Sequence, residues 1–235
     1  MIYGMERSGI MDRYDVSLDI PSVCAKRLMT NDADIGLVPV AAIPHIRNAR
    51  IVGKYGIGSR GAVDSVLLVG QVPVEEMENI LLDHHSMTSV QLVQILARDH
   101  WKVNPSWMQA SPGYESQIQG KTGGVVIGDR AFGIATRFRY VYDLSAHWME
   151  MTGLPFVFAA WVSNTKPDES FEIEMEAALA LGTGSIDAAL EGIQHDHLSA
   201  IDMRNYLNKI VYRLDGDMLE GLRAFQTMAP TLHPR

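Results

Sequence analysis

Ser65-Val-Leu-Leu-Val-Gly-Gln71 and Phe156-Val-Phe-Ala-Ala-Trp-Val162 are two apolar runs with the length and composition of buried strands. Between them, residues 73–154 alternate short strand and helix patterns and read as a self-contained α/β unit. The two runs are therefore placed where the chain crosses between lobes. Residues 1–68 and 159–235 make a discontinuous first lobe, and residues 69–158 make the second. The predicted fold class is α/β, two lobes around a cleft, with mostly parallel strand pairing.

Working outward, residues 80–83 read as a brief strand, followed by His84-His85-Ser86-Met87-Thr88-Ser89. From Ser89 onward Val90, Leu92, Val93, Leu96 and Ala97 share one helical face. Residues 124–127 form a strand that ends at Gly128-Asp129, residues 140–144 another, and residues 146–151 a helix stopped by Gly153. Nearer the start, residues 13–19 alternate at period two as a strand. Pro21 opens a helix to Met29 that buries Val23, Leu28 and Met29, and residues 35–40 form a buried strand. From Phe171 the pattern is helical, with breaks at 182–184, 195–197 and 215–216.

Composition narrows the function classes. The chain has 235 residues, 47% hydrophobic and 20% charged, which suffices for a sizeable core. One cysteine, Cys24, excludes a disulfide scaffold and a cysteine-rich zinc module. A net charge of −8 argues against a nucleic-acid partner. The longest apolar run, residues 154–162, is far shorter than the ~20 residues of a membrane span. The first residues carry no secretory pattern, so a cytoplasmic protein without a membrane partner is expected. The chain opens as if partway through an element, which suggests a strand upstream of Met1.

Most short motifs fail on context. Gly56-Ile-Gly58-Ser-Arg-Gly61 has dinucleotide spacing, but strand and not helix follows, so it reads as a loop. Gly182-Thr-Gly-Ser185 lacks the lysine of a phosphate loop and reads as a helix stop followed by a Ser185 cap. His84-His85 and His195-x-His197 lack the spacing of metal ligands, so no metal is expected. No Gly-x-Ser-x-Gly elbow exists and Cys24 lies in an amphipathic helix, so nucleophilic hydrolysis has little support.

Ser86-Met-Thr88-Ser89 is more informative. Three hydroxyl residues stand where a strand gives way to a helix, the place where free backbone N–H groups take carboxylates or phosphates. Plain capping by one of the three is the alternative. Gly128-Asp129 ends a second strand at the same expected edge, where α/β sheets place ligands.

Longer strings carry a resemblance. Asp34-Ile-Gly-Leu-Val-Pro-Val-Ala-Ala42, Ser65-Val-Leu-Leu-Val69, Asp83-His-His-Ser-Met-Thr-Ser-Val90 and Ile127-Gly-Asp-Arg-Ala131 resemble the chorismate dehydratase family of the futalosine route to menaquinone. The longest such string is Tyr142-Asp-Leu-Ser-Ala-His-Trp-Met-Glu-Met-Thr-Gly-Leu-Pro-Phe-Val-Phe-Ala-Ala-Trp161. The resemblance implies a type-2 periplasmic-binding-protein fold and the conversion of chorismate to 3-[(1-carboxyvinyl)oxy]benzoate. It also implies an opening strand and a Tyr-Leu-Asn-type turn, which this sequence lacks. Ser65 matches the family's serine at the first crossing strand and is the expected catalytic residue. Ser86, Thr88, Ser89, Gly128 and Asp129 are the expected substrate-binding residues, with a turn-stabilising role open for Asp129.

Loss of water makes the ring aromatic, so the reaction runs downhill and needs neither metal, nucleotide nor covalent intermediate. No cofactor is expected, and the partner is the small molecule chorismate. The oligomeric state is left open, a homodimer included. Three alternatives stand: the sister enzyme that makes 1,4-dihydroxy-6-naphthoate from a cyclic futalosine derivative, a non-catalytic solute-binding protein, and a regulatory ligand-binding module.

Overall fold

The computed structural model describes every residue except 84–85, 196–197 and 230–235, so His84, His85 and His197 lie outside the described residues. In chain order the elements are α1 (Ile2–Arg7), α2 (Ile10–Arg13), α3 (Pro21–Thr30), β1 (Ile35–Pro39), β2 (Arg50–Ser59), β3 (Val66–Gly70), β4 (Asn79–Leu82), α4 (Thr88–Leu96), β5 (Ser106–Gln109), β6 (Thr122–Ile127), β7 (Tyr140–Asp143), α5 (Leu144–Thr152), β8 (Phe156–Ser163), α6 (Glu169–Thr183), α7 (Ile186–Leu190), α8 (Ala200–Lys209), β9 (Ile210–Arg213) and α9 (Gly216–Met228). They fall into two compact units. One comprises Met1–Gly58 and Ala159–Asp215; the other comprises Ser59–Phe158 and the chain from Gly216.

The first unit is built on a sheet in the order β1-β8-β2-β9, with β1 antiparallel to the second half of β8 from Pro39↔Ala159 to Ile35↔Ser163. Its helical layer packs α1 on α6, and Met5, Ile10, Met175, Ala178 and Leu179 form the apolar seam. Glycine is required at that crossing: a Cβ on Gly4 would stand 2.0 Å from the Ala178 carbonyl oxygen.

Several expectations fail here for physical reasons. Residues 14–20 form no strand; Ser17 and Asp19 are instead drawn onto the Arg27 guanidinium, and Asp19 lies 2.8 Å from it. That contact holds the Asp19 carboxyl below its usual range, the Arg27 hydrogen bond being the largest cause. The helix from Pro21 forms, but Val23 faces solvent while Ala25 and Leu28 are buried. Gly56, Ile57 and Gly58 are not a loop. They lie in β2, where a Cβ on Gly56 would approach the Ala159 carbonyl oxygen to 2.7 Å.

The second unit carries a sheet in the order β5-β4-β6-β3-β7. β4 runs parallel to β5 and β6, whereas β3 runs antiparallel to β6 and β7. The expected mostly parallel pairing is therefore replaced by a mixed sheet, because the chain returns to β3 through β6 and β7 in the opposite sense. One face is covered by Tyr114, Ile118, Ala131 and Ile134 against Leu67, Val69, Leu81 and Val126. Residues 65–71, expected to cross between lobes, lie within this unit; the chain leaves it through β8, between Phe158 and Ala159.

Trp148 on α5 is fully buried, and its indole N–H donates to the Pro155 carbonyl at 3.3 Å. Phe156 and Phe225 meet it edge-on at 5.3 and 6.3 Å. Phe225 belongs to α9, so the last helix, which the sequence reading placed with the first lobe, packs in the second unit. Among the described residues no helix is long and apolar enough to cross a membrane.

Candidate functional site

Strand sense decides which loops meet. Val66 pairs with Ile127 in the antiparallel β3–β6 ladder, so the start of β3 and the end of β6 share one edge. The parallel β4–β6 pairing brings the end of β4 to that edge, and the Leu67↔Asp143 pair brings the end of β7 there too. Ser65, Asp83, the segment from Ser86 to Ser89, Gly128-Asp129 and the start of α5 thus gather at one end of the five-stranded sheet. Ligands bind at strand ends of this kind in α/β proteins, because loops there expose backbone donors without a ladder partner.

The individual contacts follow from this convergence. The Gly128 N–H donates to the Ser65 carbonyl oxygen at 2.8 Å, which ties the two loops directly. The Ser65 side chain is buried at this edge, while Asp129 is exposed. Gly128 has φ +62° with no atom near its absent Cβ, so glycine is there for conformation and not for space. Gly128→Ala is expected to cost ~1 kcal/mol through the left-handed backbone alone. Urea denaturation checks this, and an unchanged midpoint would count against it.

The three hydroxyls before α4 divide their work. Ser86 Oγ accepts from the Ser89 N–H at 3.0 Å and so caps the helix. Thr88 is buried, and its hydroxyl donates to the Phe158 carbonyl oxygen at 3.2 Å, fixing α4 to the start of β8. Ser89 is buried in the first turn of α4. Capping thus accounts for one hydroxyl of the three, and Thr88 already has a backbone acceptor.

Sequence reasoning missed a charged network at this edge. Asp83, fully buried just after β4, pairs with Arg130 and accepts from the Tyr114 hydroxyl at 2.9 Å. Arg130 also meets Glu115 at 3.1 Å. Burial, followed by the neighbouring Asp83 charge, pushes the Tyr114 hydroxyl well above its ordinary range, so it stays a donor. Two carboxylates on one guanidinium offset its charge, so this network shapes the loop and is not a ready anion receptor. The signal in the sequence was Asp83 and Arg130 at the ends of two apolar strands, visible only once β4 and β6 are known to be parallel neighbours.

Asp143 organises the adjoining corner. One carboxylate oxygen caps α5 by accepting from Ser145 and Ala146 N–H groups at 3.0 and 3.1 Å. The other accepts from Val63 and Asp64 N–H groups at 2.9 and 2.7 Å, which fixes the approach to Ser65. In the first unit, burial pushes the Cys24 thiol up, which leaves it a poor nucleophile.

Comparison with known proteins agrees with this architecture. A family described as menaquinone biosynthesis matches residues 1–231. The chain is 24% identical to a chorismate dehydratase from Thermus thermophilus, over 92% of this chain and 88% of that protein. Protein AF1704 from Archaeoglobus fulgidus superposes with a TM-score of 0.70 at 15% identity, covering 97% of this chain and 92% of that one. The periplasmic aliphatic sulphonate binding protein SsuA from Escherichia coli gives 0.60 at 12% identity, over 98% and 82%. The fold is that of periplasmic binding proteins, mixed α/β with two sheets, and the chain belongs to the menaquinone biosynthesis family.

Proposed function

We propose that this protein is a carbon–oxygen lyase that dehydrates chorismate to 3-[(1-carboxyvinyl)oxy]benzoate. The observation that supports the reading most is the likeness to a chorismate dehydratase along 92% of the chain. A proton leaves the ring carbon bearing the ether, hydroxide leaves the neighbouring carbon, and the ring becomes aromatic. The protein's tasks are to orient a dianion and to assist the departing hydroxide. The Ser65 hydroxyl, at the edge where four strand ends converge, is assigned to the reacting ring or the leaving hydroxide. The first turn of α4 takes a substrate carboxylate, and Gly128 and Asp129 border it.

With a net charge of −8 the whole-molecule field repels a dianion, so its attraction must be local. Helix N-terminal N–H groups and the nearby Ser89 hydroxyl provide it, while Thr88, whose hydroxyl donates to the Phe158 carbonyl, holds that turn in place. Replacing both residues with Ala is expected to raise KM about fivefold, the scale of one net hydrogen bond, and to lower kcat less. The contact exists in ground and transition states alike, so binding suffers first. A kcat loss larger than the KM change would move these residues out of the binding role.

Separate incubations with chorismate and with the cyclic futalosine derivative distinguish this reaction from that of the sister enzyme. Turnover of the latter alone would replace the dehydratase reading.

A further inference from the structure

His100, His147 and Glu150 bring three donor atoms together in the second unit: His100 Nε2, His147 Nδ1 and a Glu150 carboxylate oxygen. The two imidazole nitrogens are 3.3 Å apart. The carboxylate oxygen is 3.0 Å from His147 and 3.5 Å from His100. None of the three belongs to the candidate substrate site. Sequence spacing hid the group, because His100 and His147 are 47 residues apart.

From this triangle we infer a binding site for one zinc-like divalent cation, held by His100, His147 and Glu150 with solvent completing the coordination. Zinc binds imidazole nitrogen and carboxylate oxygen at ~2.0–2.2 Å, so two of its tetrahedral ligands stand ~3.3 Å apart. The three observed separations bracket that value. Hydrogen bonding alone satisfies the triangle less well. If both imidazole N–H groups donate to the carboxylate, the two nitrogens are left 3.3 Å apart with no hydrogen bond between them. A cation on the axis of the triangle accepts all three lone pairs at once.

The surroundings hold the donors in place. His147 and Glu150 are one helical turn apart on α5, so they share a face. His100 lies in residues Ala97–Trp101, which continue α4 as a π-helical turn, a departure from α geometry that is frequent at functional sites. The Trp101 and Tyr142 rings stand 5.2 and 5.6 Å from the His147 ring and restrict its rotation. Both imidazoles are about three-quarters covered, whereas Glu150 is 60% exposed, which gives the cation an entry path and a place for water. Two nitrogens and one oxygen are a borderline donor set that suits zinc over calcium or magnesium.

The test uses the full chain after chelator treatment and dialysis, titrated with zinc chloride against a chromophoric chelator, and with cobalt(II) as a spectroscopic substitute. One equivalent of zinc is expected, with tetrahedral cobalt(II) bands in the visible. Glu150→Gln, at an exposed position that leaves folding intact, should weaken zinc at least about tenfold, as should His147→Gln. His45→Gln is the control and should leave the affinity unchanged. Zinc should also raise the melting temperature of the parent and not that of Glu150→Gln, because a ligand that binds only the folded state stabilises it. Absence of stoichiometric binding would overturn the site, and so would an affinity unchanged in Glu150→Gln, which would place the metal on other histidines.

Discussion

Ser65→Ala is expected to lower chorismate turnover at least about tenfold while the protein stays folded. In the proposed function this hydroxyl acts on the reacting ring or the departing hydroxide, so its loss should weaken the transition state more than the bound substrate. Tenfold corresponds to ~1.4 kcal/mol, the scale of one hydrogen bond realised in the transition state. Folding should survive because the main-chain link at this position is kept: the Ser65 carbonyl oxygen accepts from Gly128 N–H, and alanine retains it. Steady-state kinetics with a parallel denaturation curve check both halves. Undiminished kcat in a folded variant would remove Ser65 from the chemistry.

Asp83→Ala has the largest expected effect on stability, ~3 kcal/mol. Breaking a buried ion pair by removing one partner typically costs ~3–5 kcal/mol, since the other charge is left without compensation. Here the lower end applies, because Arg130 is a third exposed and keeps its 3.1 Å contact with Glu115. The Tyr114 hydroxyl also keeps the Val125 carbonyl as an acceptor. Asp83→Asn retains an oxygen for Tyr114 and should lose less. Urea denaturation of both variants measures this, and equal losses would mean that the charge accounts for the whole effect and the retained oxygen for none of it. Because Arg130 sits in the Gly128–Ala131 turn, activity should fall alongside stability.

Particular residues show what could be read from the sequence. The strands at β3, β4, β6 and β8, and the helix stopped by Gly153 at φ +72°, were legible because apolar runs and turn residues agreed. The strand β2 was not, since Gly53, Gly56 and Gly58 interrupt its pattern although tight approach to β8 requires one of them. Residues 13–19 alternate like a strand, yet Arg27 captures their polar side chains. In the candidate site, Ser65 and Gly128 could each be named from their strand ends. Their hydrogen bond could not, because it depends on the antiparallel β3–β6 register. Asp83–Arg130 and His100–His147 were invisible for the same reason: each pair joins residues 47 apart through tertiary packing alone.

The most direct test of the account is a product assay. Purified protein is incubated with chorismate and the mixture followed by ultraviolet absorbance and mass spectrometry. The account predicts loss of one water and appearance of the aromatic 3-[(1-carboxyvinyl)oxy]benzoate, at a rate reduced in Ser65→Ala. Chorismate that remains unchanged, or is bound without being converted, would contradict it and leave a binding protein in place of a lyase.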